Sequence, residues 1–402
     1  MLNPRVQALG PYASKSIARR VESDSRVISL SIGEPAFGPP PAVGARLEEI
    51  VRAKPFVGEL KRYEVARGSS SLRQAISGYS HRFFGLAVDP DRQVLVTHGG
   101  AGALTAAILA VSNPGDEVLI GDPSYMLYER LLTVLGRTPR RIPRKSTEGY
   151  RYDLDRVASL VVSNTAAIIV NSPENPTGYV SPDDELLGLV AICERNGMTF
   201  IHDEVYDQWN FTGRHTPSAR LAGFGSVAQV NSMSKKFGVP GLRVGWLASS
   251  EAIVGAAAKA QEYTMLAVNS FSERVAEALL ECPDVEAWFG ETRSMLKERV
   301  ALVEKTLSPI PGIEFRSPVS GGMFAFPTVS ALAQKLHLPG ASPPGDVFTE
   351  WLLAEAGVAV VPGGVYGREG EGSIRLVVSG REGELREALS RIETSVVSAL
   401  EG

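Results

Sequence analysis

The sequence predicts an α/β protein in which a mostly parallel sheet is covered by helices on both sides and is followed by a smaller α+β domain. From about residue 92, short apolar segments alternate with segments of helical period. Each apolar segment is continuous rather than alternating, which is typical of strands buried on both faces. In the last hundred residues, short strands are interleaved with helical stretches, which predicts the second domain.

Predicted helices and strands alternate along most of the chain. The segment 31–41, SIGEPAFGPPP, ends in three prolines and is expected to form an extended strap. Helices are predicted at 101–111, 124–135, 250–308 with a break at Cys282-Pro283, 345–357 and 381–400. Strands are predicted at 93–97, 117–121, 166–171, 198–204 and 227–233 in the sheet, and at 313–318, 321–327, 358–364 and 373–379 in the smaller domain.

Composition excludes several classes of protein. A length of 402 residues suits two or three domains, and 44% apolar against 21% charged residues excludes a disordered chain. The 41 basic and 45 acidic residues give a net charge of −4, which does not indicate a nucleic-acid partner. The two cysteines cannot form a disulfide framework, and their separation fits no metal-ligand spacing. No apolar run reaches the ~18 residues of a membrane span and no signal peptide is indicated, so we expect a cytoplasmic protein.

Parallel α/β sheets bind ligands beyond the carboxyl ends of their strands, so the residues that follow each predicted strand are candidate site residues. Gly100, Ala101 and Gly102 follow the first strand of the sheet and open a helix. Their backbone N–H groups and the helix dipole favour an anion there. A tight turn from strand to helix needs glycines in any case, so this segment alone does not decide between an anion site and an ordinary turn.

Polar residues follow three further strands. Asn175 lies between two prolines, which hold its backbone rigidly and leave its amide projecting. Asp203 ends a buried strand, where a carboxylate needs a partner, either a structural cation or the cationic ring nitrogen of a cofactor. Lys235 and Lys236 follow the last predicted strand of the sheet, and Arg243 comes eight residues after the first lysine. This arrangement can hold an amine and a phosphate side by side.

Four tracts of the sequence occur in the order of a known family: NSPENPTG (171–178), HDEVY (202–206), SMSKKFGVPGLRVGW (232–246) and SIRL (373–376). With these tracts the chain resembles, over about residues 26–395, the class I/II aminotransferases of the aspartate aminotransferase superfamily. These are fold-type I enzymes that depend on pyridoxal 5′-phosphate (PLP). The resemblance implies a seven-stranded sheet in the large domain. It also implies an N-terminal arm of the small domain (1–45), a large PLP-binding domain (46–285) and a small C-terminal α+β domain (286–402).

The resemblance implies how the chemistry is carried out. Lys235 is expected to form the internal aldimine with PLP and then to move the proton between the substrate Cα and the cofactor, with Lys236 as the competing assignment. Asp203 is expected to keep the ring nitrogen protonated, so that the ring stabilises the Cα carbanion. Tyr206 and Asn175 are expected to hydrogen-bond the phenolic oxygen of the ring.

The resemblance also implies how the rest of the cofactor is held. Tyr125 is expected to stack on the ring. Tyr63 is expected to reach the phosphate of the neighbouring subunit, so the expected assembly is a homodimer with shared active sites. Ala101 departs from the family, in which many members carry a hydroxyl residue or a lysine at this position. The phosphate contacts are expected from Gly100, Ala101, Gly102, Ser232 and Arg243.

Substrate contacts are implied for three residues. Arg375 is expected to bind the α-carboxylate, Gly33 to approach it through its backbone, and Asn175 to lie beside it. Glu174 replaces a residue that is more often neutral or basic in the family, and the sequence shows no consequence of this difference. Four further residues lie in segments expected to border the pocket for the substrate side chain, which Phe37 favours as apolar or mixed: Tyr12, Phe37, Phe56 and Arg67.

Three functions are compatible with these residues. The leading hypothesis is an aminotransferase that moves the α-amino group of an L-amino acid to a 2-oxo acid. The alternative is a PLP enzyme of the same fold that carries out elimination, replacement, cyclisation or oxidation, since these reactions also begin with a Cα carbanion. A PLP-sensing regulator is the remote third hypothesis, because only about thirty residues precede the resemblance, too few for a DNA-binding domain.

Overall fold

The computed structural model describes residues 2–22, 24–53, 61, 63–338, 340 and 342–401, and its strands form three sheets. One sheet has seven strands, one has three and one has two. The strands are β1 (Ile28–Ser29), β2 (Val94–Thr97), β3 (Glu117–Asp122), β4 (Thr138–Pro143), β5 (Thr165–Asn171), β6 (Thr199–Asp203), β7 (Val227–Ser232), β8 (Gly245–Ala248), β9 (Phe324–Ala325), β10 (Val358–Ala359), β11 (Val361–Pro362) and β12 (Ile374–Val377).

Helices cover the large sheet and make up much of the second half of the chain. Several begin at a polar side chain that accepts a hydrogen bond from the first turn, as Ser69 does from the Leu72 N–H and Asp153 from the Arg156 N–H. The helices are α1 (Pro4–Gln7), α2 (Ala13–Val21), α3 (Val43–Arg52), α4 (Ser70–Phe84), α5 (Gly99–Val111), α6 (Leu127–Val134), α7 (Leu154–Leu160), α8 (Asp183–Arg195), α9 (Ser218–Ala222), α10 (Met233–Lys236), α11 (Glu251–Met265), α12 (Ser270–Leu280), α13 (Val285–Leu307), α14 (Ser330–Lys335), α15 (Pro344–Glu355) and α16 (Glu382–Glu401).

The seven-stranded sheet has the strand order β2-β8-β7-β6-β5-β3-β4. The pairs β3–β4, β3–β5, β5–β6 and β6–β7 are parallel, and β8 runs antiparallel to both of its neighbours, β2 and β7. Parallel neighbours need a long crossover connection, which the helices between the strands provide. The predicted α/β fold, with a mostly parallel sheet between layers of helices, is confirmed.

The continuous apolar runs are explained by helices on both faces of the sheet. On β6, Phe200 and Ile201 are both fully buried, but they belong to separate apolar clusters. Since neighbouring residues of a strand point to opposite faces, the two clusters lie on opposite sides of the sheet. Ala103 of α5 and Val254 of α11 pack in the cluster of Ile201, whereas Leu72 of α4 packs in the cluster of Phe200.

The predicted strands differ from the observed ones at several places. β4 is not predicted, because Arg140 and Arg141 stand between two prolines and leave no apolar run. It lies at the edge of the sheet, where charged residues and prolines are tolerated. β8 is also not predicted, because its four residues directly follow a glycine-rich segment, and neither is β1, which has only two residues. The predicted strand 313–318 is wrong, since this segment makes only an isolated bridge from Glu314 to Thr328.

The two smaller sheets lie beside the large one and include the N-terminal arm. β11, β12 and β9 pair antiparallel in that order. β1 pairs parallel with β10, with Ile28 opposite Val358 and Ser29 opposite Ala359. This pairing supports the assignment of the N-terminal arm to the smaller domain, and the boundaries after residues 45 and 285 stay a prediction.

The described part of the chain holds no helix that is long and apolar enough to cross a lipid bilayer. Cys193 and Cys282 are both buried and both free thiols. Burial raises the pKa of the Cys193 thiol to about 12, which disfavours the reactive thiolate. Because both thiols are buried, neither cysteine is placed to act as a nucleophile or a metal ligand.

The turn that leads into α5 passes directly over Gly245 of β8. A Cβ atom at Gly245 would lie 2.5 Å from the carbonyl carbon of Gly99 and 2.8 Å from the backbone nitrogen of Gly100. Both neighbours are backbone atoms, which cannot rotate away. A side chain at Gly245 is therefore incompatible with the observed position of this turn.

Replacing Gly245 by alanine is expected to lower the unfolding free energy by about 1–3 kcal/mol, because the added methyl group displaces backbone in a closely packed region. Gly255→Ala is the matched control: Gly255 lies in α11, and a Cβ there would have no atom within 4 Å. The control should gain up to about 1 kcal/mol from helix propensity. Urea unfolding measures both variants, and equal stabilities would contradict the close approach at Gly245.

Candidate active site

Most of the predicted site residues meet in one cavity of about 420 Å³. It lies beyond the carboxyl ends of three parallel strands, since Asn171, Asp203 and Ser232 are the last residues of β5, β6 and β7 and all line it. The predicted site residues on its wall are Gly33, Gly100, Ala101, Tyr125, Asn175, Asp203, Tyr206, Ser232, Lys235, Arg243 and Arg375.

Two predicted site residues do not line this cavity. A Cβ at Gly102 would face the side chains of His98 and Thr97, so this residue packs the first turn of α5 against the end of β2. Tyr63 is 87% exposed and lies apart from the cavity of its own chain. The structure therefore brings together the candidate site residues at the strand ends. It leaves the exposed Tyr63 available to a second molecule.

The residues expected to border the substrate pocket have different positions. Tyr12 lines the cavity. Phe37 packs edge-on against Trp209, with the ring centroids 5.6 Å apart, and Arg67 hydrogen-bonds the backbone of β2 at 3.1 Å. Phe56 lies outside the described residues. Apolar parts of the cavity wall come from other residues, namely Ile32, Leu104, Leu127 and Phe324.

Lys235 and Lys236 are adjacent in sequence, but their amines have different surroundings. The Lys235 amine lines the cavity and donates a hydrogen bond to the Gly33 carbonyl at 2.6 Å. Lys236 is fully buried and donates to Asp207 Oδ1 at 2.6 Å and to the Tyr79 hydroxyl at 2.7 Å. The charge of Lys236 is thus balanced by a structural ion pair, whereas the amine of Lys235 faces the cavity.

The surroundings of the Lys235 amine lower its pKa. Burial lowers its pKa to about 8, and repulsion from Arg375 and Arg243 acts in the same direction, while Glu34 opposes the shift. With a pKa of about 8, roughly a tenth of the amine is neutral at pH 7 and about half at pH 8. The neutral amine is the form that attacks a carbonyl group or accepts a proton.

Asp203 is a buried carboxylate without a cationic partner in the described part of the chain. The Tyr128 hydroxyl donates to its Oδ2 atom at 2.7 Å. Burial raises the pKa of Asp203 to about 6, and the hydrogen bond from Tyr128 opposes this rise. Such a carboxylate on a cavity wall is suited to pair with a cationic group of a ligand. Tyr128 was not predicted, although it follows Tyr125 by three residues and the two rings meet edge-on with centroids 5.5 Å apart.

An anion-binding corner lies where β2 leads into α5. The N-cap residue of α5, His98, makes no side-chain hydrogen bond to the first turn, where Gly100 and Ala101 line the cavity. The Arg243 side chain lies directly against Gly99, because a Cβ there would be 2.7 Å from Nη2 of the guanidinium. The Ser232 hydroxyl is on the same wall. Backbone donors, a hydroxyl and an arginine together suit a dianion such as a phosphate.

A second anion-binding group is the side chain of Arg375, which is buried on β12. Its Nη1 donates to Asn175 Oδ1 at 3.1 Å, and its Nη2 donates to the Ser31 carbonyl at 2.6 Å. Its guanidinium carbon lies 4.6 Å from the ring centroid of Phe324. The buried Nε atom has no hydrogen-bond partner among the described residues. The guanidinium is therefore held firmly by neutral groups and keeps its charge for an anionic ligand.

Two tyrosines complete the wall between these groups. The Tyr125 hydroxyl accepts a hydrogen bond from the Tyr12 hydroxyl at 2.7 Å, which ties the N-terminal segment to the start of α6. The Tyr206 ring meets Phe324 edge-on, with centroids 5.8 Å apart. Burial raises the pKa of Tyr206, and the Asp203 carboxylate raises it further, so its hydroxyl stays protonated and can donate a hydrogen bond.

Taken together, the charges of the cavity predict its ligand. The cavity is lined by four cations, Lys15, Lys235, Arg243 and Arg375, and by two carboxylates, the buried Asp203 and the exposed Glu34. The two arginines lie at different walls, so a ligand with two separate anionic groups fits the site. The amine of Lys235 lies near both, where it can react with a carbonyl group or exchange a proton with the ligand.

Known proteins match the chain over nearly its whole length. A family model described as aminotransferase class I and II matches residues 25–392. The arginine–pyruvate transaminase of Pseudomonas aeruginosa is 33% identical over 378 residues, which are 93% of this chain and 91% of that protein. The aspartate aminotransferase of Thermotoga maritima is 33% identical over 376 residues, which are 93% of this chain and 92% of that protein.

Solved structures share the arrangement of both the large sheet and the smaller domain. An aspartate aminotransferase from Thermus thermophilus with maleate has a TM-score of 0.87 and 26% identity, and the match covers 98% of this chain and 99% of that one. An aromatic aminotransferase from Pyrococcus horikoshii OT3 has a TM-score of 0.84 and 29% identity, and the match covers 95% of this chain and 99% of that one.

Replacing Tyr128 by phenylalanine is expected to raise the pKa of Asp203 further, because the ionised carboxylate loses a hydrogen-bond donor. A carboxyl group with a raised folded-state pKa contributes most to stability at low pH, and that contribution is lost as the pH rises through the folded-state pKa. The destabilisation of Tyr128→Phe should therefore grow between about pH 5 and about pH 8, by ~1–2 kcal/mol, the size of a hydrogen bond to a charged group.

Urea unfolding at the two pH values measures this difference. Tyr125→Phe is the matched control, because the Tyr125 hydroxyl bonds Tyr12 and not Asp203. Its destabilisation should be the same at both pH values. If Tyr128→Phe also lost the same unfolding free energy at both, Tyr128 would not control the ionisation of Asp203.

Proposed function

Because the chain belongs to the class I and II aminotransferases, enzymes that move an amino group between an amino acid and a 2-oxo acid, we propose that it does so with PLP bound in the cavity and attached to Lys235. The observation that carries this proposal is the Lys235 amine, which lies in one space with the corner at Arg243, the carboxylate of Asp203 and the guanidinium of Arg375. The relatives named as transaminases of arginine and of aspartate support amino-group transfer over elimination, replacement or cyclisation.

The residues of the cavity fit PLP at each of its polar groups. The first turn of α5 and Arg243 offer donors to the phosphate. Asp203 offers a carboxylate to the protonated ring nitrogen, whose positive charge favours the ionised form of Asp203. Tyr125 offers its ring to the face of the pyridine, and Asn175 and Tyr206 offer donors to the phenolic oxygen. When bound, PLP supplies a ring that withdraws electrons from the substrate Cα.

The protein's own groups then bind the substrate and move its proton. Arg375 is the donor for the α-carboxylate, and Asn175 holds that guanidinium in place at 3.1 Å. Lys235 takes the proton from Cα, because its amine has a lowered pKa of about 8 and is buried in the same cavity. The Gly33 carbonyl, which accepts a hydrogen bond from this amine, orients it towards the space between the two anion-binding groups.

Replacing Lys235 by alanine is expected to abolish the visible absorbance band of attached PLP and to reduce turnover by at least about a thousandfold, because both the attachment and the proton acceptor are lost. Lys15→Ala is the matched control, since Lys15 is an exposed lysine that also lines the cavity. It should keep the band. Absorbance spectra and formation of 2-oxo acids from a panel of the twenty common amino acids measure these effects.

Borohydride reduction of the unmodified protein followed by peptide mapping separates the two adjacent lysines without disturbing the ion pair of Lys236. The reduced cofactor should be found on Lys235. Finding it on Lys236 would contradict the assignment. Release of a product that lacks a substituent, instead of the 2-oxo acid of the donor, would contradict transamination.

We also propose that the working unit is a homodimer with shared active sites. Tyr63 and Tyr263 are 87% and 89% exposed, and Leu266 is 54% exposed. The helix that carries Tyr263 is tied to the segment of Tyr63, because the Gln261 amide donates to the Ala66 carbonyl at 2.7 Å. Exposed apolar residues that share one region are typical of an interface. On this surface the Tyr63 hydroxyl is free to reach the phosphate corner of a second copy.

Mixing the Lys235→Ala and Tyr63→Ala variants tests whether the sites are shared. Each variant alone is expected to have low activity. In a mixed dimer, one site combines an intact Lys235 with the intact Tyr63 of the other chain, so activity should recover to about a quarter of the unmodified level. Activity assays after subunit exchange and light scattering measure the effect. If Tyr63 served the site of its own chain, or if the protein were monomeric, mixing would recover nothing.

A further inference from the structure

A buried ion pair joins Arg144 and Glu174 directly behind the cavity. Nη2 of Arg144 contacts Oε1 of Glu174, and the two side chains are 0% and 1% exposed. Arg144 follows β4, and Glu174 lies in the turn after β5, next to Asn175. Neither residue lines the cavity, so neither is in a position to touch a ligand there.

Arg144 also holds the loop that carries Tyr125. Its Nη2 donates to the Pro123 carbonyl at 2.6 Å, and its Nη1 donates to the Tyr150 carbonyl at 3.1 Å. Pro123 is two residues before Tyr125 in sequence. One planar guanidinium therefore bridges the loop of Tyr125 after β3 and the turn of Asn175 after β5, and both of these segments contribute residues to the cavity wall.

Glu174 fixes the turn from the other end. Its Oε2 atom accepts a hydrogen bond from the Thr177 hydroxyl, and its backbone carbonyl accepts one from the Gly178 N–H at 3.0 Å. Asn175 in this turn accepts a hydrogen bond from Arg375 at its Oδ1 atom. A shift of the Glu174 carboxylate would therefore move Asn175, which is the hydrogen-bond partner of Arg375.

Stability alone does not account for this pair. Taking two charges out of water costs several kcal/mol per ion, and apolar residues of similar volume are often as stable or more stable. The Arg144 Nε atom is buried without a hydrogen-bond partner in the described residues, which adds a further cost. Gly121 on the neighbouring strand β3 leaves room for the arginine, since a Cβ at Gly121 would lie 2.9 Å from the Arg144 Nε. What the pair provides over an apolar contact is the fixed, planar geometry of its hydrogen bonds.

We infer that Arg144 and Glu174 are positioning residues that set the separation between Tyr125 and Asn175. This separation fixes the width of the slot for the cofactor ring. It also fixes the direction in which Arg375 points towards the substrate carboxylate. This inference rests on the proposed function.

Arg144→Lys tests this role, because lysine keeps the charge beside Glu174 but lacks the fork that reaches the Pro123 carbonyl at the same time. The apparent Kd for PLP, followed by tryptophan fluorescence, and the KM for the amino acid should each rise by about tenfold or more. The value of kcat should fall less than KM rises, since the α-carboxylate is bound equally in the ground and transition states. Arg140→Lys is the matched control: Arg140 pairs with Glu117 at 3.0 Å across the same two strands, at their far end.

The double variant Arg144→Met, Glu174→Leu separates positioning from stability. The apolar pair should restore the urea unfolding midpoint to that of the unmodified protein. The raised Kd and KM should remain, because the hydrogen bonds to both loops are absent. Recovery of all three quantities in the double variant, or an Arg144→Lys variant that behaves as Arg140→Lys does, would overturn the inference. If the unmodified protein bound no PLP, the proposed function itself would fail, which is a distinguishable result.

Discussion

The positive charge of the cavity is the constraint on which the rest of the site depends. Among the described residues, no carboxylate that lines the cavity lies within ion-pair distance of Lys235, Arg243 or Arg375. Lys235, Arg243 and Arg375 face one space, so each needs acceptors that hold it in place without neutralising it. Neutral oxygen atoms meet this need, and the cavity stays attractive to anions. The acceptors are the Gly33 carbonyl for Lys235, the Pro240 carbonyl for Arg243, and the Asn175 amide with the Ser31 carbonyl for Arg375.

The contrast between two adjacent lysines shows how local geometry decides chemistry. Successive residues of a helix point about 100° apart, so Lys235 and Lys236 on α10 face different surroundings. The charge of Lys236 is balanced by Asp207, whose carboxylate also accepts hydrogen bonds from the Tyr79 hydroxyl at 3.0 Å and from the Asn231 amide at 2.8 Å. The sequence offers both lysines as candidates, and only the spacing to Arg243 favours the first. The structure adds the physical reason, which is that one amine already has a carboxylate partner.

Local patterns predicted much of the fold and most of the cavity wall. Buried strands and the polar residues at their ends, such as Asn175 and Asp203, follow from the sequence because parallel sheets gather strand ends at one edge. The resemblance to class I/II aminotransferases is confirmed by the match over residues 25–392. The partners behind the wall were not predicted, because they are distant in the chain: Tyr128 bonds Asp203 across 75 residues, and Arg144 pairs with Glu174 across 30. Their pairing depends on which strands become neighbours.

The N-terminal arm links the two parts of the fold at the point where the substrate is expected to bind. Leu30 donates to the Ala359 carbonyl at 2.8 Å and accepts from the Val377 N–H at 3.0 Å, so the arm belongs to the smaller sheets. The next residues place the Ser31 carbonyl on Arg375 and the Gly33 carbonyl on Lys235. Because one short segment supplies a carbonyl acceptor to each of these cations, a shift of its backbone would change the surroundings of Arg375 and of Lys235 together. Under the proposed function, the group that binds the α-carboxylate and the amine that accepts the proton are therefore linked through the backbone of residues 31–33.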